Sequence, residues 1–134
     1  VYKRQVGGLS RLTLKSRSYT RQTNTTPDLT GIDLSGRDLR GIHFDGVHMD
    51  GADLSGCNLT EANLTGCRLI GASLRGADLT KARLSWADLT DADLTDAKVI
   101  RTSLPSATLT GATLDGATWR PTSQPPGLDT STTR

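Results

Sequence analysis

Two cysteines and two histidines are the side chains of this 134-residue chain that most resemble metal ligands. Cys57 and Cys67 lie ten residues apart, without the close pairing that zinc sites favour. His43 and His48 lie five apart and have only two aspartates near them in sequence. We therefore expect no metal site and no cofactor: the cysteines fill small apolar core positions as reduced thiols, and the histidines are solvated. Reduced thiols suit the cytoplasm.

Serine, aspartate and histidine all occur, but no group of them indicates an activated nucleophile. Serine and aspartate recur at regular intervals along the chain, so their presence reflects a repeat rather than a catalytic arrangement. We expect no catalytic residues, no small-molecule substrate and no enzymatic activity.

The strongest candidate for a partner-binding surface lies between residues 86 and 96. Trp86 stands where most of the chain has glycine, and exposed tryptophan is enriched in the hot spots of protein interfaces. The densest group of acids follows it: Asp88, Asp91, Asp93 and Asp96. These five residues are the predicted partner surface.

The element that must position all of these residues is a five-residue repeat. From Pro27 to Pro121 the chain contains nineteen consecutive units without insertion or deletion. The first residue of a unit is Ala in eleven, the third is Leu in fifteen and the fifth is Gly in eleven. A helix of 3.6 residues per turn cannot hold a five-residue stripe on one side over this length. The pattern predicts very short strands separated by bends, wound as a coil with the first and third residues inside.

We call the third residue of each unit its centre. The centres predict a stacked core, with these residues in its middle: Leu54, Leu59, Leu64, Leu69, Leu74, Leu79, Leu84, Leu89 and Leu94. Trp119 is the last centre, and we expect it to cap the final coil, because a solenoid must close its exposed ends. Arg37 occupies an inward position, so we expect its coil to be splayed or to lie at an end where the side chain reaches solvent.

Units 52–56 (ADLSG) and 62–66 (ANLTG) resemble the pentapeptide-repeat proteins. The resemblance covers the whole of 27–121. It implies an all-β fold, a right-handed quadrilateral parallel β-helix with four pentapeptides per coil. Nineteen units then make just under five coils, and at about 4.8 Å per coil the rod is ~23 Å long.

The flanks differ from the repeat in composition. Residues 1–26 form a basic arm with six Lys or Arg and no acid, whereas 27–121 carry thirteen acids against nine bases. The first five residues, VYKRQ, look like a translated sequencing adapter, which would make them non-native. The sequence leaves open whether a native upstream region is missing. The rest of the arm is expected to be a cap strand or disordered, and the Ser/Thr/Pro-rich segment 122–134 to be a disordered tail. No apolar run approaches the ~18 residues of a membrane span.

These observations favour a non-enzymatic, cytoplasmic scaffold that presents a rigid surface to an unidentified protein partner. A basic arm can bind nucleic acid or a membrane surface, but part of the charge of this arm belongs to the adapter-like segment, so nucleic acid is disfavoured as a partner. Two alternatives stay open. In relatives that bind DNA gyrase an acidic rod imitates DNA, so the resemblance implies gyrase or another topoisomerase as one possible partner. The other alternative is a structural stalk from a larger protein.

Overall fold

The computed structural model describes residues 27–123, 125, 128 and 130–133. Within this part, the second residue of each unit pairs in parallel with the residue twenty positions later, from Asp28 with His48 to Asp93 with Thr113. Each unit has five residues, so a spacing of twenty places four units in every coil. The chain is a right-handed, four-sided β-helix, as the resemblance to the pentapeptide-repeat proteins implied.

Most strands of this helix are reduced to single β-bridges. Two longer strands occur near the C-terminal end: β1 spans Lys98–Ile100 and β2 spans Thr118–Arg120. They are parallel, with Val99 opposite Trp119. No cis peptide bond interrupts the described coils.

The four sides of the rod are named here by the units they contain. Face 1 holds the units that begin at residues 27, 47, 67, 87 and 107, and face 2 those at 32, 52, 72, 92 and 112. Face 3 holds the units that begin at 37, 57, 77, 97 and 117, and face 4 those at 42, 62, 82 and 102. The fifth residue of each unit forms the corner before the next face.

The interior contains the centres and the first residues, stacked in columns. The nine leucines from Leu54 to Leu94 are all at most 1% exposed. The alanines between them are equally buried, because a small first residue leaves room for the large centre of a neighbouring unit. Bulkier first residues, Ile32, Ile42 and Val47, line the N-terminal coils beside Phe44.

The backbone hydrogen bonds follow one pattern that depends on the position of the residue in its unit. The N–H groups of the second, third and fifth residues donate to carbonyls of adjacent coils, and the N–H of the first residue donates to the preceding centre. In unit 52–56 and at the start of the next, these bonds are Asp53 N to Ile32 O (2.8 Å), Leu54 N to Ser73 O (2.8 Å), Gly56 N to Arg75 O (2.8 Å) and Cys57 N to Leu54 O (3.2 Å). The N–H of the fourth residue alone has no main-chain acceptor in this scheme.

The second residue supplies the missing acceptor from its side chain. Asp53 Oδ1 accepts the N–H of Ser55 at 3.0 Å, and Asn58 Oδ1 accepts that of Thr60 at 3.1 Å. The hydroxyl of the fourth residue donates to the same oxygen, at 2.7 Å in Thr60. The frequent Asp or Asn at position two therefore satisfies the turn, since a main-chain N–H without an acceptor is costly.

At the N-terminal end, Arg37 is half-buried although its position points inward. Its coil is the first that the structure describes. The side chain therefore reaches the surface, which is one of the two arrangements that the sequence left open.

At the C-terminal end, the described residues of 122–133 lie against the last coil. Gly116 N–H donates to Thr132 O at 3.2 Å, replacing the next-coil carbonyl that interior corners use. Leu128 packs against the core and Pro125 is buried. The last coil has no coil beneath it, so apolar contacts and hydrogen bonds to this segment cover its open end.

Candidate functional site

Trp86 is the most conspicuous surface residue of the rod. Its side chain is 72% exposed, and no other large hydrophobic residue of the described part is exposed. It occupies the corner between faces 4 and 1, and the same corner in the two preceding coils is Gly46 and Gly66. Neighbouring side chains therefore do not cover the indole.

The backbone at this corner is left-handed. Trp86 has φ +62°, and the glycines of the other corners have similar values, from +65° to +73°. Aspartate tolerates this region through local hydrogen bonding, whereas a bulky residue does so at a cost of about 1–2 kcal/mol. Four other corners occupied by neither glycine nor aspartate have similar φ values, so the exposure of the indole, and not its backbone conformation, distinguishes Trp86.

The four acids of the predicted partner surface fall into two pairs. Asp88 and Asp93 are second residues whose carboxylates each accept the N–H of the threonine two positions later, both at 3.0 Å. Asp91 and Asp96 are exposed corner residues with φ +57° and +59°. The structure thus places all four in one coil, but only the corner pair projects from the surface.

Two arginines lie among these acids, and both are paired. Arg75 Nη1 lies 2.9 Å from Asp93 Oδ2, and Arg68 Nη2 lies 2.6 Å from Asp50 Oδ2. Partial burial raises the pKa of Asp93, but hydrogen bonds from Thr95 and Arg75 outweigh this effect and leave the pKa below its ordinary value. The carboxylate is therefore held ionised.

Charge is divided between the two halves of the rod. Faces 1 and 2, the acidic half, carry nine aspartates and two arginines, whereas faces 3 and 4, the basic half, carry seven Lys or Arg and four acids. The composition of the repeat shows only a mild net acidity. The separation of acids from bases becomes visible when the sequence is written in rows of twenty residues. Each column of such an alignment then contains the residues that stack along one line of the rod.

The two cysteines are core residues. Both thiols are buried and free, and each donates to a centre carbonyl of the preceding coil: Cys57 Sγ to Leu34 O at 2.9 Å and Cys67 Sγ to Phe44 O at 2.6 Å. Burial raises the pKa of Cys57, and that of Cys67 to about 12. Thr102, at an equivalent position, donates to a centre carbonyl in the same way. A thiol or a hydroxyl can therefore occupy a buried first position, because its proton is donated to a centre carbonyl of the preceding coil.

The histidines lie apart from any metal-binding arrangement. His43 is exposed and His48 half-buried, on faces 4 and 1. Across residues 27–123 and the described positions beyond, no group of three or more His, Cys, Asp or Glu could hold a metal ion. Glu61, Lys81 and Arg101 occupy the corner between faces 3 and 4 in successive coils, and Lys81 Nζ lies 3.5 Å from Glu61 Oε1.

Sequence reasoning missed the role of Asp50. Arg68, a second residue, cannot accept a hydrogen bond, so its unit lacks the usual acceptor for the N–H of Ile70. Asp50 lies one coil earlier in the same column as Ile70 and accepts that N–H at 3.1 Å while also pairing with Arg68. An Asp at position four, twenty residues before the deficient unit, is the sequence signal that would have revealed it.

Trp119 is buried at 9% exposure, in register with Val99 of the preceding coil. Its predicted role as a cap stays a prediction. No helix of the described part is long and apolar enough to cross a membrane.

Comparisons with known proteins agree with this geometry. The family model for pentapeptide repeats matches in eight copies, over residues 28–66, 57–96 and 87–118. No curated protein matches the chain. Among solved structures, a pentapeptide repeat protein from the Arabidopsis thaliana thylakoid lumen is similar at 30% identity, over 75% of this chain and 70% of that one, with a TM-score of 0.68.

Two cyanobacterial structures from Nostoc PCC 7120 are also similar. HetL, a pentapeptide repeat protein involved in heterocyst differentiation regulation, shares 33% identity over 75% of this chain and 44% of its own, with a TM-score of 0.45. A second pentapeptide repeat protein shares 30% identity over 90% of this chain and 87% of its own, with a TM-score of 0.41. With the family model matching along nearly the whole coil, this chain belongs to the pentapeptide repeat proteins.

Proposed function

We propose that this chain is a non-enzymatic scaffold that binds a protein partner through Trp86 and the neighbouring acidic half. The observation that carries the proposal is Trp86 itself: a large apolar side chain, 72% exposed, on a left-handed backbone. Burial of such a ring in a partner pocket stabilises a complex by an amount typical of interface hot spots, about 2 kcal/mol or more.

The rod supports such a contact by being rigid. Corner and face residues are fixed by main-chain hydrogen bonds to both adjacent coils, so surface side chains keep their spacing when a partner binds. Little ordering entropy is then lost from the backbone on association. Asp91 adds projecting negative charge at the far corner of face 1, the face that begins at Trp86, and this charge favours a partner with a basic rim.

A matched pair of corner variants tests this proposal. Trp86→Gly and Lys81→Gly both place glycine on a left-handed corner of the same coil, but only the first removes the indole. We expect pull-downs from bacterial lysate, quantified by mass spectrometry, to lose partners with Trp86→Gly and to keep them with Lys81→Gly. Partners that are recovered equally well by both variants would contradict the proposal.

The acidic half gives a second candidate function, imitation of DNA toward a topoisomerase such as DNA gyrase. Its nine aspartates outnumber two arginines that are already paired, along a rod whose coils repeat about every 4.8 Å. The test measures DNA supercoiling by purified gyrase in the presence of the wild-type chain or of a variant of this chain. The variant has Asp88, Asp91, Asp93 and Asp96 changed to Lys. Supercoiling unaffected by a large excess of wild-type protein rejects this candidate.

A further inference from the structure

The C-terminal end of the basic half is a surface to which the proposed function assigns no role. On faces 3 and 4, from residue 87 onward, the described coils carry Lys98, Arg101 and Arg120 and no acid. The four acids of these faces, Asp38, Asp45, Glu61 and Asp78, all lie in the first three coils. Cationic charge therefore accumulates at one end of one side of the rod.

These cations are not neutralised within the fold. In the part of the chain that the structure describes, Arg83, Lys98, Arg101 and Arg120 form no salt bridge, whereas Arg40, Arg68, Arg75 and Lys81 each do. All four side chains are exposed. These four cationic side chains are therefore available to bind an external anion.

Trp86 borders this group across face 4. Arg83 is the second residue of the unit that ends at Trp86, and Arg101 lies at the opposite corner of the same face, one coil further on. Between them face 4 presents only Ser85, Ser103 and Pro105, which are small. An aromatic plane and two unpaired guanidinium groups thus lie along one side without a bulky residue between them.

We propose that this surface, formed by Arg83, Trp86, Lys98, Arg101 and Arg120, binds single-stranded nucleic acid. Unpaired cations contact phosphates, and an exposed aromatic ring stacks on a base, which is the combination that single-strand binding surfaces use. Stacking on one aromatic ring contributes about 1–3 kcal/mol per base without sequence preference. The net acidity of the repeat belongs to the opposite half and does not repel phosphates from this surface directly.

This inference is independent of the proposed protein partner, although both surfaces meet at Trp86. Changing Asp91 to Lys alters only the acidic half, at the corner between faces 1 and 2, and leaves the nucleic-acid surface intact. We therefore expect oligonucleotide binding to persist in that variant, at equal or higher affinity.

Trp86 provides a direct optical test, because Trp119, the other tryptophan, is buried. The full chain is titrated at low salt with an oligothymidylate of about ten nucleotides, and tryptophan fluorescence is followed. We expect quenching that is lost in Trp86→Phe, while anisotropy of a labelled oligonucleotide shows that this aromatic variant still binds. With three or four phosphate contacts, the log–log slope of affinity against salt should be about −2 to −3.

The basic arm of residues 1–26 requires a matched control. Arg83→Glu with Arg101→Glu should weaken binding about tenfold or more, and Arg17→Glu with Arg21→Glu changes the net charge equally outside the proposed surface. If only the arm variant loses binding, the inference is wrong. It is also wrong if the oligonucleotide leaves Trp86 fluorescence unchanged, or if inorganic polyphosphate or an acidic peptide of matched charge quenches it equally.

Discussion

The Oδ1 atom of Asp50 accepts the N–H of Ile70, 3.1 Å away and one coil further along the rod, while Oδ2 of the same carboxylate lies 2.6 Å from Arg68 Nη2. One side chain thus supplies the acceptor that the unit of Arg68 cannot supply for itself. The relationship shows that the acceptor for a fourth N–H need not come from the same unit.

Asp50→Ala is expected to destabilise the rod by about 1–3 kcal/mol, because the N–H of Ile70 is half-buried and loses its acceptor. Urea unfolding followed by circular dichroism measures this loss. Asp50→Asn keeps an acceptor oxygen and should recover most of the stability. Asp45→Ala, at the same position on face 4, is the control and should change stability by less than about 0.5 kcal/mol. Equal losses at the two sites would show that the bond is unimportant.

Trp86→Gly is expected to raise the free energy of unfolding by about 1 kcal/mol, since glycine adopts φ +62° without strain and the exposed indole gives up little packing. Thermal and urea unfolding measure the gain. Trp86→Ala retains a Cβ on the left-handed backbone, so its stability should stay near wild type. A loss of stability in the glycine variant would mean that the indole packs on the rod in solution.

Gly111 and Gly71 occupy the same corner column. Substitutions at these two positions distinguish the cost of a Cβ on a left-handed backbone from the cost of a steric clash. At Gly71 a Cβ would meet nothing within 4 Å, so Gly71→Ala loses only the left-handed preference, about 1 kcal/mol. At Gly111 a Cβ would clash with Asp91 Oδ1. Gly111→Ala should therefore cost more than Gly71→Ala, and Asp91→Ala should remove the excess. A double-mutant cycle by urea unfolding measures the coupling, and additive effects would contradict the contact.

Acid should destabilise the rod partly through Asp93. The folded-state pKa of this carboxyl lies below its unfolded value of about 3.9, so its contribution is present above that pH and is lost as pH falls through the folded pKa. Asp93→Asn should lower stability at neutral pH and reduce the loss of stability between about pH 5 and 2. Asp115→Asn, on the same face, is the control. Parallel pH curves for wild type and Asp93→Asn would refute the assignment.

Alkali should act through Cys67. Its folded-state pKa of about 12 exceeds the unfolded value of about 8.5, so the stabilisation is complete below about pH 8.5 and declines as pH rises toward 12. Cys67→Ala places the commonest first residue there and should show a shallower loss above pH 8.5 than wild type. A thiol reagent should modify wild-type Cys67 only at the rate of unfolding. Rapid modification of the folded protein would contradict the buried, protonated thiol.

The sequence alone determined the winding of this protein. A five-residue period with Ala and Leu at alternate positions leaves no helix that could bury both columns, and glycine at the fifth position marks the bends. It also accounted for the cysteines as core residues in place of Ala, because their positions in the unit are inward ones. The pattern is local and its period repeats nineteen times, so a departure from the consensus in a single unit does not obscure it.

Only the tertiary structure decided which distant residues share a surface. Four units per coil bring residues twenty apart into contact, and this spacing divides the charges into an acidic and a basic half that the linear sequence mixes. It also places Asp50 beside Ile70 and folds Leu128 against the core, through contacts that no five-residue pattern encodes. The physical reason is that winding fixes the neighbours across coils, whereas the repeat specifies only the neighbours within a unit.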